Sequence, residues 1–364
     1  EVRLVWLELA GVRTYDRLHF EPDAGTNVLV GANAVGKTNL IEAIGYLATL
    51  GSFRRAPDEA IVAQGAEAAV IRGEVDHGDR RSLIEVEVPR EGRRRAQVNR
   101  SRLARSADLA DHLRVVVFQP DDLDIAKRSP SHRRAFLDDA AVLLWPAAAA
   151  DQSDYERAVR HRNALLRQMG RRADPTTLEV WNQRVSVAGG AVLARRRDTV
   201  VALSGGVEEA YSQLAGAKVA VDLHYRSDWV PDLDGTPEEW TARLWAALEA
   251  AAETDMDRPV TTVGPHRDDP AWAIDGRDAR LRASQGEQRT LVLSLRLAQQ
   301  AAVRRVAGVS PVLLLDDVFS ELDTDRASAL AGALPGGQSF ITTARDEEVP
   351  LSGRRWRVTS GVVT

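Results

Sequence analysis

Apolar and polar residues alternate through "VRLVWLELAGVRTYDRLHFEP" (2–22), which predicts two short strands, while "TNVLV" (26–30) runs apolar enough for a buried strand. The period then changes. "KTNLIEAIGYLATLG" has helical spacing and stops at Gly51. From 68 to 104, "AAVIRGEV", "RSLIEVEVP" and "RRAQVNRSRL", separated by "DHGD" and "REG", predict an antiparallel meander beside the first sheet. "LRVVVFQPDDLDI" predicts a further buried strand ending in a polar loop.

In "RSPSHRRAFLDDAAVLLW", Ser129 is placed to cap a helix with Pro130 at its first position. The chain from 130 to 256 then reads as largely helical, with breaks at "GRRADPT" and "RSDWVPDLDGTP". A helix of ~25 residues reaches about 37 Å, enough for a short arm or a compact lobe and too little for a long coiled coil. Strand-like text returns in "RPVTTVGPHRDDPAWAIDGRDARLRA", followed by a helix beginning at Ser284 in "SQGEQRTLVLSLRLAQQAAVRRV". "PVLLLDDVFSELD" is an apolar strand with two carboxylates at its end, and "GGQSFITTARD" is a last strand and loop. Strands and helices in this order predict an α/β fold.

At 364 residues and 44% hydrophobic content the chain can bury a substantial core and divide into two domains. No run approaches the ~18 apolar residues of a membrane span, and "AAVLLWPAAAA" (140–150) is broken by Pro146. The opening "EVRLVWLELA" has no basic leader pattern, so the expected address is the cytoplasm, which the absence of cysteine also fits. A net charge of -5 argues against a uniformly basic nucleic-acid coat. Arginines nevertheless cluster at 90–105, 127–134, 156–172 and 194–198, patterns that solvated helix faces also produce. Of 48 basic residues only Lys37, Lys127 and Lys218 are lysine, so an ammonium at position 37 stands out against a chain that otherwise uses arginine.

Lys37 lies in "GANAVGKT". Gly31, four residues, then Gly36-Lys37-Thr38 is the phosphate-loop pattern, with a strand before and a helix after. In that pattern the N–H groups from Gly31 through Asn33, Ala34, Val35, Gly36 and Asn39 surround α and β phosphates. Lys37 bridges β and γ, and Thr38 ligates magnesium. The strand "VLLLDD" can deliver carboxylates into a dry site only at its end, where Asp316 would hold magnesium through water and Asp317 would polarise an attacking water. Ser284-Gln285-Gly286-Glu287 opens a helix whose N-terminus suits a γ-phosphate and equally describes a plain helix cap.

The order of these pieces (phosphate loop, Gln119 loop, SxGE helix, LLLDD strand, "SELD", short terminal strand) resembles the ATP-binding-cassette ATPases of the SMC type. Within them the chain resembles the RecF family of bacterial recombination mediators, on "GANAVGKTNLIEAI", "GSFR", "SPSHRRAFLD", "GPHRDD", "SQGEQRTLVLSLRLA" and "LLLDDVFSELD". The resemblance implies an ATPase head formed by 1–130 and 257–364, a mixed sheet with an antiparallel β subdomain, and an inserted helical lobe at 131–256. It implies a homodimer with two composite sites. Lys37, Thr38, Gln119 (catalytic and metal-facing), Asp316 and Asp317 come from one subunit, Ser284, Gly286 and Glu287 from the other, with Ser320 and Asp323 at the junction. ATP and Mg2+ are the implied cofactors, duplex or gapped DNA the implied ligand, and RecO, RecR and RecA the implied pathway. Arg93, Arg94, Arg95, Arg100 and Arg102 are the DNA-contact candidates, through phosphate neutralisation.

Departures from the pattern are specific. Ala34 stands where cassette loops carry glycine, at a cost of about 1 kcal/mol if the backbone is left-handed. Asp317 replaces a usual glutamate and Thr342-Thr343 a usual histidine, which points to slow hydrolysis. Arg54 is either a cis arginine for phosphate or a salt-bridge partner, and His266 and Arg267 either line the site or form a structural turn. Trp145, Trp181, Trp229 and Trp245 are expected in the lobe's core. A transporter's energy-coupling subunit or an SMC-like structural ATPase are the alternative functions.

Overall fold

A computed structural model describes residues 2–172 and 174–364. The chain groups into two compact units: Glu1–Asp122 with Ser212–Lys218 and Leu293–Thr364, and Leu123–Tyr211 with Val219–Val292.

Two six-stranded sheets build the first unit. One is mixed, and its strands Val115–Phe118, Val312–Asp316, Ser339–Thr343 and Thr26–Val30 run parallel with registered neighbours, Val115–Phe118 forming one edge. Val312–Asp316 is buried at every position, which is why it reads as a continuous apolar run in place of an alternating one. The other sheet is antiparallel, in the spatial order Tyr15–Phe20, Arg3–Val12, Ala68–Asp76, Arg81–Pro89, Arg95–Val98, Ser101–Arg102. It contains the expected meander, and Arg3–Val12 extends it by pairing with Ala68–Asp76. Leu4, Leu7, Leu9, Ile71, Ile84 and Val86 from this sheet share one buried cluster with Leu40, Ile41, Ile44 and Leu47 of the helix Lys37–Thr49 and with Leu314 and Phe340. Gln338 ties the two sheets by accepting from Leu4 N at 2.7 Å and donating to Leu4 O at 2.9 Å.

The second unit is mainly helical. Its longest helix, Pro175–Ala215, has 41 residues, or about 60 Å at 1.5 Å per residue, well beyond the expected 25. Gly189 explains how a neighbouring helix approaches so closely, because a Cβ there would stand 2.4 Å from Leu244 Cδ2. The stretch expected to be helical also contains a strand, Val221–Arg226, which pairs antiparallel with Asp269–Ile274. The compact unit that holds the helices runs on through Val292, whereas the sequence places residues from 257 onward with the head. The apolar alternation in "VDLHYR" is too weak to announce a strand without its partner.

Two local expectations change. Pro130 does open the helix Pro130–Leu144 after Ser129, but the Ser129 hydroxyl makes no cap bond and instead meets Ser131 Oγ at 2.7 Å and His132 Nδ1 at 3.2 Å. Of the four tryptophans expected in the core, Trp229 is buried and joins Trp240, while Trp145, Trp181 and Trp245 are half-buried. Trp181 stacks on His161 at 5.0 Å, with Arg184 over its ring.

Candidate functional site

The register of the parallel strands brings distant residues to one edge. Leu315 lies beside Phe118, Asp316 beside Thr342, and Thr343 beside Val30, so Gln119, Asp316 and Gly31 all follow strand ends on the same side. This is the side on which open α/β sheets bind ligands.

The loop 31–36 has the shape of a phosphate cradle. Ala34 adopts φ 65° and Gly36 φ 115°, both left-handed. Position 34 therefore does have the backbone for which an L-residue pays about 1 kcal/mol. Gly31 has a different necessity: a Cβ there would meet Val358 O at 2.3 Å. Tyr15 donates its hydroxyl to Gly36 O at 3.0 Å, and Asn39 Nδ2 donates to Thr14 Oγ1 at 3.1 Å, fixing the loop's far end to the hairpin beneath it. The helix Lys37–Thr49 begins with no side-chain cap and no acid in its first turn, so its N-terminal field faces the loop uncancelled. Lys37 is buried, and Nζ donates to Gly31 O at 2.7 Å and Ala32 O at 2.8 Å. Burial lowers its pKa, and the charges of Asp317 and Asp316 oppose that fall. Asn33 and Ala34 are exposed and Val35 half-buried.

Opposite the loop, Asp316 Oδ1 accepts from Thr38 Oγ1 and from Thr342 Oγ1, each at 2.8 Å. Burial raises the Asp316 pKa, with the two hydroxyls working against the rise. Asp317 turns left-handed at φ 50°, its N–H donates to Thr342 Oγ1 at 2.9 Å, and its Oδ1 is buried without a hydrogen-bond partner. Ser320 Oγ closes the same turn on Asp317 O at 2.8 Å. Gln119 is anchored by its backbone, donating from N to Asp122 Oδ2 at 3.0 Å, and Asp122 is in turn clamped by Arg296. Arg54 approaches Glu42 at 3.9 Å, while Glu42, buried on the loop helix, takes two bonds of 2.9 Å from Arg13 and one from Ser52 Oγ. The Arg54 charge also works against the burial-driven rise of the Asp316 pKa, so this arginine faces both the Glu42 and the Asp316 carboxylates.

Ser284 and Glu287 form a reciprocal capping box: Ser284 N donates to Glu287 Oε2 at 2.7 Å and Glu287 N to Ser284 Oγ at 3.3 Å. These bonds lower the Glu287 pKa, and Arg277 adds to the effect at 3.2 Å. Ser284 is exposed and Gly286 half-buried, which leaves the helix end accessible. Asp323 caps Thr324–Ala333 by accepting from Arg326 N at 2.9 Å. Arg93, Arg94, Arg95, Arg100 and Arg102 are all exposed, at the outer edge of the antiparallel sheet. Arg94 is paired with Asp58 at 2.8 Å and Arg95 with Glu87 at 3.7 Å. Asn99 and Arg100 both take positive φ in the hairpin tip, so Arg100 sits at a tight turn.

Parts of "GPHRDD" and "SPSHRRAFLD" meet in the second unit, where Arg133 Nε donates to Asp269 Oδ1 at 2.9 Å and Arg134 to Asp268 O at 2.6 Å. His266 Nε2 donates to Thr261 O at 3.0 Å and Nδ1 accepts from Tyr155 OH at 2.6 Å; Arg267 also donates to Thr261 O. The structural-turn alternative for His266 and Arg267 is the one their contacts satisfy. No local motif marks Tyr15 or Arg13, which meet their partners 21 and 29 residues away.

The family profile described as RecF/RecN/SMC N terminal domain matches residues 3–361. The DNA replication and repair protein RecF of Streptomyces avermitilis is 41% identical over 98% of both chains. That of Acidothermus cellulolyticus is 43% identical, over 97% of this chain and 96% of the relative. A solved structure of the recombination mediator protein RecF with ATPrS in the RecFOR pathway superposes with a TM-score of 0.92 at 28% identity, covering 100% of this chain and 97% of the other. An SMC head domain derived from Pyrococcus furiosus, 16% identical over 100% of this chain and 96% of that one with a TM-score of 0.57, shares the fold. With the ABC-type ATPase head and near-complete coverage by relatives of one name, the chain belongs to the RecF family of RecF/RecN/SMC proteins.

Proposed function

We propose that the chain is an ATP-gated DNA clamp of recombinational repair and replication-fork recovery, whose heads close as a homodimer around two ATP molecules. The observation that carries this is the meeting of the Lys37–Thr38 helix start with Asp316 and Asp317 across 278 residues of sequence, joined by the 2.8 Å Thr38–Asp316 bond. Loop N–H groups and Lys37 hold the triphosphate. The hydroxyl of Thr38 and the carboxylate of Asp316 are hard oxygen donors placed side by side, a set that fits magnesium with water in its remaining positions. Magnesium held by Thr38 and Asp316 would supply neutralisation of phosphate charge. Asp317 accepts a proton from the attacking water, oriented by Gln119, and the short reach of an aspartate makes turnover slow.

Ser284, Gly286 and Glu287 of the partner subunit would complete each site. The exposed helix end behind Ser284 offers N–H donors to a γ-phosphate and none to ADP, which makes closure depend on the nucleotide. Ser320 and Asp323 stand exposed beside the acidic strand end, where a second head would meet them. Arg93, Arg100 and Arg102, exposed along one sheet edge, neutralise DNA phosphates without reading bases. The relatives' place in the RecFOR pathway suggests RecO and RecR as partners and RecA loading as the outcome. Such work on chromosomal DNA belongs in the cytoplasm, and among the described residues no helix is long and apolar enough to cross a membrane.

Light scattering with ATP, ADP or no nucleotide, each with and without a gapped duplex, tests the reading. Mass should double with ATP alone and return with ADP. A mass that ignores ATP under all conditions defeats the clamp, and DNA binding that is insensitive to both ATP and salt defeats the arginine edge.

A further inference from the structure

Thr342 is buried on the strand Ser339–Thr343, directly beside Asp316 in the sheet register. Its hydroxyl makes two bonds of opposite sense. It accepts from Asp317 N at 2.9 Å and donates to Asp316 Oδ1 at 2.8 Å. The backbone N–H of Asp317 can only donate, so the single hydroxyl proton of Thr342 is committed to Asp316. One oxygen atom therefore fixes both acidic residues: the carboxylate orientation of Asp316 and the left-handed turn at Asp317, φ 50°, a conformation that non-glycine residues occupy rarely.

We infer that Thr342 is a positioning residue for the metal and hydrolysis half of the site, a role that rests on the nucleotide reading above. Asp316 Oδ1 receives the Thr38 and Thr342 hydroxyls together. With Oδ1 held from two sides, Asp316 presents its second oxygen in a fixed direction, as outer groups orient metal-facing carboxylates elsewhere. The same hydroxyl holds the Asp317 turn from the neighbouring strand, while Ser320 Oγ holds it from the far side through Asp317 O. Asp317 Oδ1, buried with no hydrogen-bond partner, is thereby held in position to receive a polar ligand atom or water. The γ-methyl of threonine packs in the buried sheet, so valine replaces the side chain at equal volume and deletes only the hydroxyl.

Binding of a fluorescent ATP analogue, measured in EDTA and across a magnesium titration, separates the possibilities. Thr342→Val should bind the analogue like wild type in EDTA, yet need about 10-fold more magnesium to reach the tight state and lose roughly 10- to 100-fold in turnover. Thr342→Ser, which keeps the hydroxyl, should restore both. If Thr342→Val matches wild type in its magnesium response, the inference is overturned and the nucleotide reading stands. If it loses affinity equally in EDTA and magnesium, and Thr342→Ser does the same, Thr342 serves only packing, which also overturns it. A wild-type chain that binds no analogue removes the nucleotide reading and this inference together.

Discussion

The phosphate loop with its acidic strand end and the polar network of the helical unit are both rich in conspicuous residues, yet one is built on strained backbone and the other on shared side-chain bonds. In the helical unit long side chains are woven into shared networks, although Arg162 Nη2 and Trp272 Nε1 stay buried without a partner. Arg196 holds Asp138 through Nε and Nη2 at 2.7 and 2.8 Å and gives Nη1 to Tyr225 OH and Pro265 O; Tyr225 and Trp229 then donate to Asp268. Burial alone raises the Asp268 pKa, and its hydrogen bonds restrain that rise. Around the loop, by contrast, Ala34 and Asp317 hold left-handed backbone and Asp317 Oδ1 is buried unpaired. Left-handed non-glycine backbone next to an unpaired carboxylate oxygen is strain held where a ligand or a conformational change can make use of it, whereas the helical network ties its charges together to hold a shape.

That contrast can be broken at its strongest point first. Arg162 is fully buried, bonded to Asp255 at 2.6 Å, Thr261 at 2.9 Å and Asn182 at 2.8 Å. Arg162→Met leaves Asp255 buried without its cation and should cost about 3–5 kcal/mol in denaturant unfolding. ATP affinity of the protein that remains folded should hold, and a loss of affinity without a loss of stability would dissolve the distinction between the regions.

A smaller effect is expected from acid. Burial pushes His266 down to about 4 from its ordinary 6.5, so the folded state keeps the ring neutral while the unfolded chain protonates it. Its contribution is whole above pH 6.5 and is lost progressively as pH falls toward 4, reaching on the order of 2–3 kcal/mol. His266→Gln, which can still accept from Tyr155, should flatten the unfolding free energy across that window. An unchanged slope would mean that some other group titrates there.

The smallest change concerns the loop itself. Ala34→Gly relieves the strain at φ 65° but loosens the unfolded chain, so stability should shift by no more than about 1 kcal/mol. Nucleotide affinity should rise or stay level. A fall in affinity would show that the methyl group contributes to the site.

Much of this was legible in the sequence because the signals are local. A strand, a glycine-bounded loop and a helix in sequence predict the cradle, and an unbroken apolar strand ending in two acids predicts the opposing carboxylates. Even the backbone at Ala34 follows from what other residues usually stand there. The rest depends on pairings that no local window contains. "VDLHYR" becomes a strand only by meeting Asp269–Ile274, and Thr342, read as a missing histidine, acts through its strand neighbour. Ser284 and Glu287 carried two meanings in the sequence, and in the structure they do form the helix cap while leaving its end exposed. The arginines at 94 and 95 looked as free as their neighbours until Asp58 and Glu87 were brought alongside.

Gly31 has a consequence for the order of events at the ribosome. Its backbone is shaped against Val358 O, and Gly361 N donates to Val35 O at 3.3 Å, so the first part of the cradle to be synthesised is pressed into place by residues made much later. The strand that carries Val358, Arg354–Thr359, pairs with Thr26–Val30 and completes that side of the mixed sheet. A nascent chain that has emerged only through the phosphate loop therefore has the motif without the pocket. Competence to hold nucleotide arrives late, after more than three hundred further residues, and a growing chain is thereby kept from acting on ATP before its acidic strand and both sheets exist.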